Sequence, residues 1–390
     1  MVRYAQRMER IGTETAFEVL ARAKALEAQG HEILHFEIGE PDFDTPTHIK
    51  EAAIRALYDG YTHYGPTPGL PELREAIAEA VSKSRGISVT PEEVIVTPGA
   101  KPIIFFTLLA CAQAGDEVIY PNPSFPIYES MINFVGATPV PIPLLESAGF
   151  SFDMDRFEAS LTPRTKLIIL NSPGNPTAGI IPAADLQRIA EVAVARGLTV
   201  LSDEIYSGIQ YEGTPVSIAT FPGMQDRTII LDGFSKMYAM TGWRLGYGVA
   251  NRELVGHFTK LMANSASCTA SFVQIAGVAA LRGPQEPLRQ MLMEFRRRRE
   301  IIVKGLNDIP GLRCTMPQGA FYAFPNIDAF ERTSADLAGQ LLATAGIACL
   351  AGTAFGQYGE GYLRFSYANS EENIRKMLEK LEDILIGLHL

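Results

Sequence analysis

Between about residue 90 and residue 250, short β-branched runs alternate with helical segments, and this alternation restricts the fold of the 390-residue chain more than any other feature. VIVTP (94–98), EVIYP (117–121), KLIIL (166–170), LTVLSDE (198–204), TIILDGF (228–234) and GYGVA (246–250) read as strands. PAADLQRIAEVAVARG (182–197) has helical spacing, as a crossover between parallel strands requires. The pattern predicts an α/β fold, a large domain with a mostly parallel central sheet, in which ligands gather at the carboxyl ends of the strands.

The flanks differ. ETAFEVLARAKALEAQ (14–29) reads as an amphipathic helix that stops at Gly30, and PELREAIAEAVSKS (71–84) as one opened by a proline. After a long charged helix around 284–306, FYAFPN, a helix near 334–345, YLRFSYA and a last helix from about 370 suggest a smaller α+β domain. We expect residues 1–45 to join that small domain, 46–285 to form the large domain and 286–390 the small C-terminal one.

Charge and cysteine content narrow the function. With 34 basic and 44 acidic side chains the net charge is −10, which argues against nucleic acid as main partner. The cysteines show no CxxC pair and the histidines no metal spacing, so neither a disulfide framework nor a metal site is expected. The run IIFFTLLACA (103–112) is too short to cross a bilayer, and MVRYAQRMER is no signal peptide, so a cytoplasmic location is expected. Arg296 to Arg299 are read as a solvated helix segment.

Polar residues that follow the apolar runs are the chemical candidates. TPGAK (97–101) leads into a helix, NSPGNPTAG (171–179) and DEIY (203–206) follow two strands, and Ser235 and Lys236 follow a third. Lys236 stands in a stretch whose only other cation is Arg244, an environment that disfavours the ammonium and leaves an amine free to condense with a carbonyl. A lysine at a strand end with its head in water is the alternative. Arg364, alternating into the apolar strand YLRFSYA, is an inward charge that calls for an anion.

FSKMYAMTGWRLGYG, DEIY, NSPGNPTAG, YTHYGPTPGLPELREAI and YLRFSYANSEEN together resemble the fold-type I, class I/II aminotransferases, which use pyridoxal 5′-phosphate (PLP), in the family's motif order from about Glu14 to Leu385. The resemblance implies a PLP-transferase-like large domain and a transaminase that moves an amino group from an L-amino acid, aspartate-like or broad, to a 2-oxo acid such as 2-oxoglutarate. It makes Lys236 the residue that forms the Schiff base and shuttles the proton, Asp203 the partner of the pyridine nitrogen, and Tyr206 and Asn175 the donors to the ring oxygen. Gly99, Ala100, Lys101 and Arg244 would bind the phosphate, with Ser235 as a further contact. Tyr64 would reach the phosphate of a neighbouring subunit, which implies a homodimer with shared active sites.

Phe125 would stack on the ring, Gly39 lie near the substrate carboxylate, and Arg364 and Asn175 hold that carboxylate. Lys101 either meets the distal carboxylate of an acidic substrate or faces solvent. Two positions depart from the pattern: Gly233, where many relatives carry serine, and Ala178, where they carry glycine. A PLP-dependent lyase on the same scaffold and a non-catalytic binding protein are the rival readings.

Overall fold

The computed structural model describes residues 2–389. Its strands are, in chain order, β1 (Leu34–His35), β2 (Val94–Thr97), β3 (Glu117–Asn122), β4 (Thr138–Leu145), β5 (Ser151–Phe152), β6 (Thr165–Asn171), β7 (Thr199–Asp203), β8 (Thr228–Gly233), β9 (Gly246–Val249), β10 (Tyr322–Ala323), β11 (Ile347–Ala348), β12 (Leu350–Ala351) and β13 (Leu363–Ser366). Eight form one sheet in the order β2-β9-β8-β7-β6-β3-β4-β5, in which β9 and β5 run against the rest. The expected α/β architecture with a mostly parallel central sheet is therefore present.

Helices cover both faces of this sheet, which is why its strands are apolar throughout rather than alternating. Along β6, Leu167 and Ile169 enter one core with Ile104 and Phe258, while Ile168 and Leu170 enter another with Ile189 and Ala193. The crossover helix Ala183–Arg196 ends on Gly197 in the left-handed conformation, φ 66°.

The sequence does not announce β4, TPVPIPLL, because prolines suggest a loop. Pro139, Pro141 and Pro143 nevertheless lie in parallel register with Val118, Tyr120 and Asn122 of β3. Their spacing of two puts every missing N–H on the same edge of the strand, so the other edge still pairs.

Two smaller sheets hold the remaining strands, β1 with β11 and β10-β13-β12. The long helix Glu286–Asp308 packs beside them and corrects one expectation. Arg298 and Arg299 are buried rather than solvated: Arg298 pairs with Asp42 at 2.7 Å and Glu294 at 2.9 Å, and Arg299 donates to the Pro317 carbonyl at 3.0 Å and pairs with Glu212. Consecutive positions on a helix are about 100° apart, so two of four arginines turn inward and find carboxylates there.

Candidate active site

The carboxyl ends of β6, β7 and β8 open into a cavity of about 500 Å³ that also receives residues from the N-terminal segment and from β12 and β13. Of the residues singled out in the sequence, Gly39, Ala100, Lys101, Phe125, Asn175, Asp203, Tyr206, Ser235, Lys236, Arg244 and Arg364 line it. Tyr64 does not; it is 89% exposed and outside the cavity of its own chain.

Lys236 lies just beyond β8, and its Nζ donates to the Gly39 carbonyl at 2.6 Å. Burial disfavours the ammonium; Glu40 opposes this, and the Arg364, Lys101 and Arg244 charges add to it, so the group falls to about 8. A nucleophilic amine is thereby accessible near neutrality.

Asp203 ends β7, 4% exposed. It accepts hydrogen bonds from Tyr128 Oη at 2.6 Å and the Ile205 N–H at 3.2 Å, but no cation lies within ion-pair distance among the described residues. Burial pushes its carboxyl up to about 7, against the pull of those two bonds. A buried carboxylate without a counter-charge is costly, and one that faces a cavity is a site for a cationic or N–H-bearing ligand.

Arg364 on β13 is 3% exposed. One amino group donates to Asn175 Oδ1 at 2.9 Å and the other to the Glu37 carbonyl, while Nε has no partner. The guanidinium sits over the Tyr322 ring at 4.5 Å and the Phe355 ring at 4.9 Å. Tyr322 also shares a 2.6 Å hydrogen bond with Tyr206 and packs so close to Gly39 that any side chain there would overlap its hydroxyl.

The third wall is the turn before the helix Lys101–Cys111. Gly99 has φ 83°, and a Cβ on it would collide with the Arg244 guanidinium; a Cβ on Gly246 would collide with Ala100. Backbone N–H groups at a helix start with a guanidinium beside them suit a phosphate. Arg244 itself is held at φ 53° and donates to the Thr241 carbonyl at 2.8 Å.

Lys101 is half-exposed at the cavity mouth and has a partner of its own chain. It forms an ion pair with Glu14, at the start of the helix Thr15–Glu27, and lies 5.2 Å over the Phe125 ring. At Gly233 a Cβ would stand 3.1 Å from Gly246 Cα, a tight fit for any side chain there. Ala178 holds φ 55°, the left-handed conformation that glycine adopts without strain. Asn171, which opens the candidate segment 171–179, accepts from the Asn175 N–H at 2.9 Å through its Oδ1, and Tyr128 and Tyr322 are further cavity residues that the sequence pattern does not reveal.

A lysine amine near its neutral range, a buried carboxylate without a counter-ion and a phosphate cradle around one cavity fit PLP, and define a PLP enzyme. The family profile described as Aminotransferase class I and II matches residues 31–381. The chain is 40% identical to a probable aspartate/prephenate aminotransferase of Aquifex aeolicus over 97% of this chain and 99% of that protein. It is 40% identical to aromatic-amino-acid aminotransferase 2 of Thermococcus litoralis, over 92% of this chain and 93% of that one. The solved structure of Thermus thermophilus aspartate aminotransferase with maleate superposes with a TM-score of 0.93 at 38% identity, covering 98% of this chain and all of that chain. The chain belongs to the class I and II aminotransferases: it is a PLP-dependent transaminase acting on small amino and 2-oxo acids.

Proposed function

We propose that the enzyme transfers the amino group of aspartate-like and other L-amino acids to 2-oxoglutarate, as a cytoplasmic homodimer, with Lys236, Asp203 and Arg364 as its central residues. The observation that carries this reading is the convergence of two uncompensated buried groups, Asp203 and the Arg364 Nε, with the Lys236 amine in one cavity. When bound, PLP supplies an aldehyde that condenses with amines and a ring that takes up the electron pair released at the substrate Cα.

The chain's residues then divide the work. Lys236 Nζ would hold the aldehyde and, as a free amine, would move the proton at the substrate Cα. Asp203 would accept the hydrogen bond of the ring N–H and stabilise its positive charge, and Tyr128 fixes that carboxylate by its 2.6 Å bond. Tyr206 and Asn175 would serve the ring oxygen, Gly99, Ala100, Ser235 and Arg244 the phosphate, and Phe125 the ring face. Arg364, with Asn175 beside it, takes the substrate carboxylate in a two-bond fork.

Two features support a dimer. Ile54, Leu57 and Tyr58 on the helix Thr47–Tyr58 expose apolar side chains at 54%, 46% and 88%, a face that a second copy would cover. Tyr64, unused by its own cavity, is then free to reach the partner's phosphate. The substrate reading rests on relatives whose names include both aspartate and aromatic substrates, and on Lys101, whose Glu14 partner an acidic side chain would replace.

Borohydride reduction of the PLP-loaded protein followed by peptide mapping should place the label on Lys236, and Lys236→Ala should lose transamination while keeping its fold. Label at another lysine, or none, overturns the assignment. Half-reactions with aspartate, alanine and phenylalanine rank the substrates; equal losses for aspartate and alanine in Lys101→Ser would refute a distal-carboxylate role for Lys101.

A further inference from the structure

His35 stands between two carboxylates. Its Nδ1 lies 2.8 Å from Glu37 Oε1 and its Nε2 3.0 Å from Glu27 Oε1. A neutral imidazole has one N–H and could donate to only one of them, turning a lone pair toward the other; only the imidazolium satisfies both. Glu37 is 0% exposed and its Oε2 has no partner, so the ring is the one cation that its side chain contacts in the described structure.

The two carboxylates lie outside the cavity, on two segments that reach different walls of it. Glu27 is the last residue of the helix Thr15–Glu27, whose opening residues, with Glu14, line the cavity mouth. Glu37 lies in the extended segment that follows β1. In that segment the Glu37 carbonyl accepts from Arg364 and the Gly39 carbonyl accepts from Lys236 Nζ. Main-chain bonds from the Phe36 N–H to the Ala348 carbonyl and from the Ser366 N–H to the Phe36 carbonyl, and one from the Asn369 side-chain amide to the His35 carbonyl, lock the segment on its other sides.

We propose that His35 is a positioning residue for the substrate-carboxylate site, tying the helix at the cavity mouth to the segment whose carbonyls orient Arg364 and Lys236. The proposal rests on the reading of Arg364 as the carboxylate anchor. When the ring loses its proton the Glu27 contact loses its donor, the helix is released from the segment, and the mouth loosens while the reacting groups stay in place. Substrate affinity therefore falls at high pH with little change in the limiting rate.

The other groups that bear on this contact are few. Lys24 pairs with Glu27 at 2.8 Å from the same helix, and Cys349 and Arg364 face Glu37 from the β11 and β13 side. Burial works against the charged ring, and the hydrogen bonds to Glu37 and Glu27 outweigh it, leaving His35 above its usual range. The tie is thus complete below the ordinary histidine range and is lost as pH rises through that raised value.

The test uses the PLP-loaded enzyme and two readouts. Single-turnover titration with L-glutamate gives an apparent Kd and a limiting rate across pH, and amide hydrogen exchange reports on residues 15–27. In the wild type we expect Kd to weaken roughly fivefold over the His35 titration, with helix exchange rising beyond its intrinsic pH dependence over the same range. His35→Gln should show the weak Kd and fast exchange at every pH. Glu27→Gln, a substitution at a residue one-third exposed that preserves the fold, should move both transitions to lower pH with the limiting rate unchanged.

Wild-type Kd and exchange profiles in both variants would overturn the proposal. Arg364→Lys is run in parallel. If it binds glutamate as tightly as the wild type, the anchor reading falls instead, and the two failures are distinguishable because exchange in the helix does not depend on Arg364.

Discussion

Asp203 and Asp232 lie on neighbouring strands of one sheet, both buried, and the protein treats them in opposite ways. Asp232 on β8 receives Arg85 at 2.5 Å and its own strand's Gly233 N–H at 2.7 Å. Arg85 also pairs with Glu204 at 2.9 Å, and Glu204 accepts from Ser202 and Ser217, so this cluster is a closed account of donors and acceptors. Burial penalises the guanidinium, yet Asp232 and Glu204 more than offset that and keep it charged. Asp203, one strand away, is given a tyrosine hydroxyl and a backbone N–H but no cation. A buried carboxylate completed by the chain is architecture, whereas one left incomplete beside a cavity is half of a binding site.

Asp203→Asn should separate the two most sharply. It removes the charge that stabilises the ring nitrogen, and transamination should fall by roughly a hundred- to a thousandfold, while the ligand-free protein unfolds at the same or a higher temperature. Asp232→Asn should do the reverse. It leaves Arg85 with Glu204 as its one remaining carboxylate and should cost about 1–3 kcal/mol in denaturant unfolding, with the folded enzyme retaining most of its rate. Equal effects of the two substitutions on rate and on stability would dissolve the distinction.

pH provides a smaller contrast. The Asp203 carboxyl is raised to about 7 in the folded chain, from an ordinary value of 3.8, so between those values the folded protein binds the extra proton. Ligand-free wild type should therefore lose stability as pH rises from about 4 to about 7, and Asp203→Asn should not. Denaturant midpoints of the two proteins across that range measure the difference. The smallest expected effect is that of Tyr128→Phe, which removes one donor from Asp203 and should weaken PLP affinity by about tenfold, as one lost hydrogen bond to a charged group does; fluorescence titration of the ligand-free protein reads it.

What was legible in the sequence follows the same division. Lys236, Asp203 and Asn175 each lie near the end of an apolar run, where a parallel sheet places its ligand contacts, so local pattern and family motif pointed to the same residues. Tyr128 and Tyr322 were not legible, because they meet Asp203 and Tyr206 across 75 and 116 residues of chain, and an aromatic residue reads as core until its hydroxyl has an address. The Glu14 partner of Lys101 and the inward turn of Arg298 and Arg299 were hidden for a related reason: charge patterning along the chain says nothing of which carboxylate a fold brings alongside. Strand β4 was masked by residues that usually forbid strands.

Those prolines have a consequence beyond the fold. Along Thr138–Ile142 no strand among the described residues pairs with the edge of β4 facing away from β3, since β5 meets only Leu144 and Leu145 and the Asp153 N–H bonds the Pro143 carbonyl. An open edge of this kind invites another polypeptide to add a strand, the first step toward aggregation. With N–H donors absent at every second position, that edge offers carbonyls but no complementary rung, and a growing ladder ends there without any helix having to stand guard.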